Sequence, residues 1–109
     1  MKETLHRELD IPCSVEDAWS HVTCASWLGD DGEMDAAVGA EGWVTSEGET
    51  RYLVVDEVDE GRRLAFRWAS FRDGPSRVEI ELESLPNGTR VVISESPLQA
   101  KASATLCLR

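Results

Sequence analysis

The chain has 109 residues, of which 11 are basic and 21 acidic, so its formal net charge is −10. This length predicts one domain with one core, and this charge argues against nucleic acid and anionic membranes as partners. No apolar run approaches the roughly 20 residues of a membrane span, and the first residues lack an apolar signal core, so we expect a cytoplasmic protein. Cys13, Cys24 and Cys107 are widely spaced and odd in number, which predicts reduced thiols.

Residues 4–11 alternate between apolar and polar side chains, which predicts a half-buried strand. Leu5, Leu9 and Ile11 would form its inner face. Arg7 is the one polar residue at an inner position.

A helix is predicted to begin after Ser14, because a hydroxyl followed by acidic residues is typical of a helix N-terminus. Four apolar residues would then form one stripe facing the core: Val15, Ala18, Trp19 and Val22. Thr23 can cap a second short helix that contains Trp27 and Leu28.

From residue 33 onward the pattern has a period of two and glycine-containing turns, which predicts an antiparallel meander. The clearest strands are expected at residues 62–70, 77–83 and 89–95. The Asn87-Gly88 pair predicts a tight hairpin, since both residues accept positive φ angles. After Pro97, residues 98–109 could form a helix of about three turns.

Residues 52–58 are apolar on both faces, so this strand is expected to be covered on both sides or to lie centrally. Alternation places Tyr52, Val54 and Val58 on one face. Leu53 and Val55 fall on the other face.

The order of these features resembles the START-like or Bet v 1-like (SRPBCC) superfamily, and within it the bacterial proteins related to the activator of Hsp90 ATPase. The landmarks are Ile11-Pro12 with Val15 and Ala18-Trp19, Trp27-Leu28-Gly29, Val55-Asp56-Glu57-Val58-Asp59 running through Arg62 to Trp68, Asn87-Gly88-Thr89-Arg90-Val91, and Glu95-Ser96. They cover residues 5–96. The resemblance implies an α+β helix-grip fold in a single domain over residues 1–109: a curved antiparallel sheet, two short helices after the first strand, and a C-terminal helix across the sheet.

The chain departs from this family pattern at its C-terminus. Only 13 residues follow Ser96. Even a fully helical segment of that length would span about 20 Å, so we expect the C-terminal helix to be shortened.

The resemblance also implies a cavity between the sheet and the helix. Its expected lining residues are Trp19, Trp27, Tyr52, Val54, Leu64, Phe66, Trp68, Val78, Ile80, Leu82, Val91 and Ile93. An apolar concavity is the usual form of a small-molecule site. Plain core packing explains the same alternation, and the sequence favours it over a ligand cavity.

No metal, cofactor or catalytic residue is predicted. The acidic run from Asp30 to Asp35 does not fit a calcium loop, and His21 with Cys24 supplies too few ligands for zinc. No nucleophile elbow, phosphate loop or dinucleotide turn occurs. Nothing in the sequence ties His6 or His21 to a catalytic partner.

Three functions remain open. The first is non-catalytic binding of a small hydrophobic molecule against the face that contains Phe66 and Trp68. The second is a protein-interaction or co-chaperone-like role, as the resemblance to the Hsp90 activator implies. The third is a cyclase- or hydrolase-type enzyme. A shortened helix would also expose an apolar sheet face, which predicts homodimerisation through that face.

Overall fold

The computed structural model describes residues 4–24, 27–70 and 74–98. Its elements in chain order are β1 (Leu5–Ile11), α1 (Val15–Val22), β2 (Asp31–Glu33), β3 (Glu41–Ser46), β4 (Glu49–Asp59), β5 (Arg63–Ala69), β6 (Ser76–Leu85) and β7 (Gly88–Pro97). The strands form one curved antiparallel sheet in the order β1-β7-β6-β5-β4-β3-β2. This arrangement confirms the predicted α+β helix-grip class.

Helix α1 begins where the sequence predicts. The Ser14 hydroxyl accepts a hydrogen bond of 3.1 Å from the backbone N–H of Asp17, which satisfies one of the free amides of the first turn. The apolar stripe of α1 packs on the sheet, where Ala18 and Val22 are buried. The predicted second short helix includes residues 25 and 26, which lie outside the described residues. The C-terminal helix was predicted over residues 98–109, and all of these except residue 98 also lie outside them.

The core lies between α1 and the concave face of the sheet. Cross-strand register places side chains of Leu53, Phe66, Val78 and Ile80 on this face, because directly paired residues point to the same side. All four are at most 3% exposed. Ile93 of β7 pairs with Ile80 and points to the same side. The predicted alternation of β5, β6 and β7 is therefore confirmed.

The predicted facing of β4 is wrong for its first half. Leu53 pairs with Trp68 and Val55 pairs with Phe66, so these two residues, and not Tyr52 and Val54, face the core. Tyr52 is 64% exposed on the convex face. A register shift between Val55 and Glu57 then restores Val58 to the concave face, because a bulge reverses the alternation that follows it.

The β6–β7 hairpin forms as predicted, but for a different reason. Its turn residues are Pro86 and Asn87, and neither they nor Gly88 has a positive φ. A Cβ atom on Gly88 would lie 2.1 Å from the carbonyl oxygen of Ile11. Gly88 is therefore required by the close approach of the end of β1 to the hairpin.

None of the helical structure within the described ranges is long and apolar enough to cross a bilayer.

Candidate functional site

The concave face divides into a closed part and an open part. The closed part lies in the middle of the sheet, where Leu64, Phe66 and Ile80 have no exposed surface. These side chains belong to one continuous core cluster with Val22 of α1. The closed part is core packing, as the sequence favoured.

The open part lies on the two strands at the β1 edge of the sheet. We call it the open strip and define it as Leu5, Arg7 and Leu9 of β1 together with Ile93 and Glu95 of β7. In register, Leu5 lies opposite Glu95 and Arg7 lies opposite Ile93, so all five residues belong to the concave face. Leu5 is 57% and Leu9 49% exposed, and Ile93 is half-buried. Among the described residues of the sheet's concave face, Leu5 and Leu9 of this strip are the large apolar side chains with the most exposed surface.

One end of the open strip carries a fixed carboxylate. Oε2 of Glu95 accepts a hydrogen bond of 2.6 Å from the hydroxyl of Ser76 and one of 3.0 Å from the indole N–H of Trp68. Ser76 is 3% and Trp68 9% exposed, so both donors are anchored in the protein interior. Hydrogen bonds to a charged acceptor are among the stronger ones, and two of them restrict the rotation of the Glu95 side chain.

Further polar groups lie near the Trp68 ring. The guanidinium carbon of Arg51 lies 4.7 Å from the centroid of the Trp68 ring, in the range of a cation–π contact. Beside it, the hydroxyl of Ser70 donates a hydrogen bond of 2.5 Å to Glu49. The concave face therefore has an apolar centre and polar side chains at the end where β6 begins and β7 ends.

Ten of the twelve predicted lining residues lie on or beside the concave side of the sheet, and Tyr52 and Val54 do not. Trp19 is partly buried against the core. Trp27 is 38% exposed, and its indole N–H donates a hydrogen bond of 2.9 Å to the carbonyl of Val22. The two tryptophans thus contribute to the packing around α1.

The sequence interpretation missed the polar members of this face. Glu95 falls at an inner position of β7, after Val91 and Ile93, and breaks the apolar alternation there. Ser76 lies just before the predicted start of its strand. A polar residue at an inner position of a strand indicates a polar group on the concave face. This pattern was noticed for Arg7 but not for Glu95.

A second depression lies outside the concave face. It is an open groove of about 630 Å³ between the start of α1 and the β6–β7 hairpin, lined by residues 12–16 and 84–88. Cys13 lies in it, and its carbonyl oxygen accepts a hydrogen bond of 2.8 Å from the Thr89 hydroxyl. The lining is dominated by turn residues, and no charged cluster converges on the groove.

The convex face of the same strands carries a network of ion pairs. Arg77 contacts Asp56 at 2.9 Å, Glu57 at 3.3 Å and Glu79 at 3.1 Å. Arg63 contacts Glu57, Glu79 and Glu81. The hydrogen bond from Arg77, together with the charge of Arg63, lowers the pKa of Glu79.

The acidic loop before β3 is held by backbone hydrogen bonds. Oδ2 of Asp30 accepts one of 3.1 Å from the N–H of Glu47, and Oδ1 of Asp31 accepts one of 2.8 Å from the N–H of Gly32. Within residues 4–24, 27–70 and 74–98, no group of three or more His, Cys, Asp or Glu side chains is placed to hold a metal ion. His6 lies on the convex face, as predicted, between Ser94 and Glu8 at 3.2 Å from each.

Together, the curved sheet, the helix on its concave side and the apolar concave face define a helix-grip domain. The chain belongs to the family of activator of Hsp90 ATPase homolog 1-like proteins, whose model matches residues 13–106. This match confirms the resemblance found in the sequence. No curated protein matches the chain at a significant level.

Solved structures with the same fold come from several bacteria. A protein from Mesorhizobium loti is 20% identical, with a TM-score of 0.79 over 94% of this chain and 82% of that one. The Aha1 dimer of Colwellia psychrerythraea is 16% identical, with a TM-score of 0.74 over 97% of this chain and 85% of that one. DynU16, from the dynemicin biosynthetic locus, is 23% identical, with a TM-score of 0.77 over 97% of this chain but only 42% of that one.

Proposed function

We propose that this protein is a non-catalytic binding domain that holds a small apolar molecule against the open strip. One observation carries this proposal: two leucines of β1, Leu5 and Leu9, face the concave side of the sheet yet remain about half exposed. Exposed apolar side chains next to a buried core are typical of binding surfaces.

The geometry favours the open strip over the lining predicted from the sequence. Phe66, Val78 and Ile80 are fully packed, so a ligand could reach them only by displacing core side chains. Leu5, Leu9 and Ile93 are accessible without any such change. A ligand bound there would bury their exposed area, and each buried methylene group contributes about 0.8 kcal/mol.

Nile red, a neutral dye whose fluorescence rises in apolar surroundings, provides a test. We expect the wild-type protein to enhance its fluorescence in a saturable way. Leu9→Ser should weaken the apparent affinity about fivefold, because it removes apolar contact area. Val38→Ser is the matched control, since Val38 is 68% exposed and lies in the loop between β2 and β3. Absent enhancement, or equal weakening by both variants, would contradict the proposal.

A second candidate is self-association through the same strip. The Colwellia psychrerythraea relative is described as a dimer. Strand β1 is also an edge strand of the sheet, with Leu5 and Leu9 exposed beside it. Such an edge offers backbone N–H and C=O groups to another strand. A second copy of the chain could therefore cover the strip in place of a ligand.

Sedimentation velocity over a range of protein concentrations distinguishes the two candidates. Self-association predicts a dimer that Leu5→Lys dissociates, since a charge placed on the apolar strip opposes its burial. A wild-type protein that stays monomeric at the highest concentration would exclude self-association through the strip.

The contacts of Glu95 support a role for its carboxylate in ligand binding. Its hydrogen-bond partners are the indole of Trp68 and the hydroxyl of Ser76. Both groups donate to Oε2 from buried positions, which holds the carboxylate in place as a hydrogen-bond acceptor for a bound ligand.

A further inference from the structure

We propose that Glu95 selects the ligands of the open strip, and that it favours apolar molecules carrying a neutral hydroxyl donor over those without a donor or with an anionic group. This inference rests on the proposed binding function and adds the chemical class of the ligand. It starts from the position of Glu95, directly opposite the exposed Leu5 on the concave face.

The two oxygens of the Glu95 carboxylate have different surroundings. Both hydrogen bonds from the protein reach Oε2. Within the described parts of the chain, Oε1 accepts no hydrogen bond. An ionised carboxylate can accept about four hydrogen bonds, so Oε1 keeps the capacity to accept one from a ligand.

The donors on Oε2 fix the direction in which Oε1 is presented. Trp68 and Ser76 are both more than nine-tenths buried, and they also contact each other, with 3.0 Å between Nε1 and Oγ. The Glu95 side chain therefore does not need to be ordered when a ligand arrives. A preorganised acceptor loses less conformational entropy on binding than a freely rotating one.

The negative charge of Glu95 disfavours anionic ligands. A ligand anion beside Glu95 would meet like charge, and the net charge of −10 on the whole chain adds to that repulsion. Two cations compete for an anion: Arg7, which lies on the same strip opposite Ile93, and Arg51, which is engaged in the cation–π contact with Trp68. Arg7 is exposed, so its attraction is screened by solvent more than the interaction of the partly buried Glu95.

Three naphthalene derivatives of nearly equal size separate the effect of a hydrogen bond to Glu95 from the effect of ligand charge. 2-Naphthol donates a hydrogen bond, 2-methoxynaphthalene cannot, and 2-naphthoate is an anion at pH 7. Equilibrium dialysis with fluorescence detection measures their affinities. For the wild-type protein we expect 2-naphthol to bind about tenfold more tightly than 2-methoxynaphthalene, as a charge-assisted hydrogen bond predicts. We expect 2-naphthoate to bind most weakly.

The variant Glu95→Gln keeps the size of the side chain and an oxygen for Trp68 and Ser76 but removes the charge. It should lose most of the preference for 2-naphthol while binding 2-methoxynaphthalene as before. Glu41→Gln is the matched control, because Glu41 is an exposed strand residue that pairs with Val54 on the convex face. It should leave all three affinities unchanged.

The outcomes distinguish this inference from the function on which it rests. Equal binding of 2-naphthol and 2-methoxynaphthalene by the wild-type protein would overturn the role of Glu95 and leave apolar binding standing. Tightest binding of 2-naphthoate, or a 2-naphthol preference that survives in Glu95→Gln, would also overturn it. If none of the three compounds binds, the proposed function fails and this inference fails with it.

Discussion

Neighbouring side chains on β5 meet opposite environments on the two faces of the sheet. Phe66 points into the concave side and has no exposed surface, whereas Arg67 points to the convex side and pairs with Asp56. Among the described residues, the convex face has the larger number of polar contacts, and those of Arg63 and Arg77 are partly exposed to water and shared among several carboxylates. The concave face has few polar contacts, but buried groups hold them. The number of polar contacts therefore says little about how much each one stabilises the fold.

The largest expected difference between the faces comes from truncating these two neighbours. Phe66→Ala should lower the free energy of unfolding by about 4 kcal/mol, because it removes a fully buried ring and leaves a cavity. Arg67→Ala should change it by less than about 0.5 kcal/mol, since Arg77 still pairs with Asp56. Urea unfolding followed by tryptophan fluorescence measures both. Similar losses for the two variants would contradict the assignment of the faces.

The next largest difference comes from two serines on opposite faces. Ser76→Ala should cost about 1 to 2 kcal/mol, because it removes a buried donor to the Glu95 carboxylate. Ser94→Ala removes a hydroxyl that lies on the convex face near His6, and its effect should stay within about 0.5 kcal/mol. Urea midpoints of the two variants at pH 7 make the comparison. If Ser94→Ala lowered the unfolding free energy more than Ser76→Ala does, the hydrogen bonds around Glu95 would not be the more stabilising ones.

The smallest expected effect concerns acid pH and the convex face. In the folded protein, the hydrogen bond from Arg77 and the charge of Arg63 lower the pKa of Glu79 from its ordinary value, so this carboxyl binds protons more weakly in the folded than in the unfolded state. Its stabilising contribution is then present above the unfolded pKa and is lost as the pH falls through the folded pKa. Between pH 5 and pH 3, the unfolding free energy of Glu79→Gln should therefore fall less steeply than that of the wild-type protein.

The control for this pH series is Glu41→Gln, which changes an exposed carboxyl on the same face of another strand. Parallel pH profiles for the wild-type protein and Glu79→Gln would mean that the ion pairs of Glu79 contribute nothing in solution. That result would agree with the low stabilisation expected of exposed ion pairs, and it would contradict the expected link between the lowered pKa of Glu79 and stability at acid pH.

The sequence predicted the faces of β5, β6 and β7 because most of the large apolar side chains of these strands fall at one phase of the alternation. It failed on β4, where residues 52–55 are apolar at both phases and the bulge after Val55 reverses the phase within the strand. Alternation contains no information that would place such a bulge. Tyr52 was therefore assigned to the wrong face.

The polar cluster could not be predicted from local pattern at all. It depends on the Trp68 ring of β5 reaching across β6 to Glu95 of β7, and these residues are 27 positions apart in the chain. The open strip depends on how far α1 extends over the sheet, which periodicity does not determine. Leu5 and Leu9 were correctly assigned to the inner face, but their exposure follows from packing between distant segments.

A methyl and indole NMR titration with 2-naphthol tests the central claim most directly, because it reports where on the molecule an apolar ligand binds. We predict that the methyl resonances of Leu5, Leu9 and Ile93 and the indole N–H of Trp68 shift together with one affinity, while the methyls of Val38 do not move. Shifts confined to the groove formed by residues 12–16 and 84–88, or no saturable shifts in any of these groups, would contradict the assignment of the open strip as the binding surface.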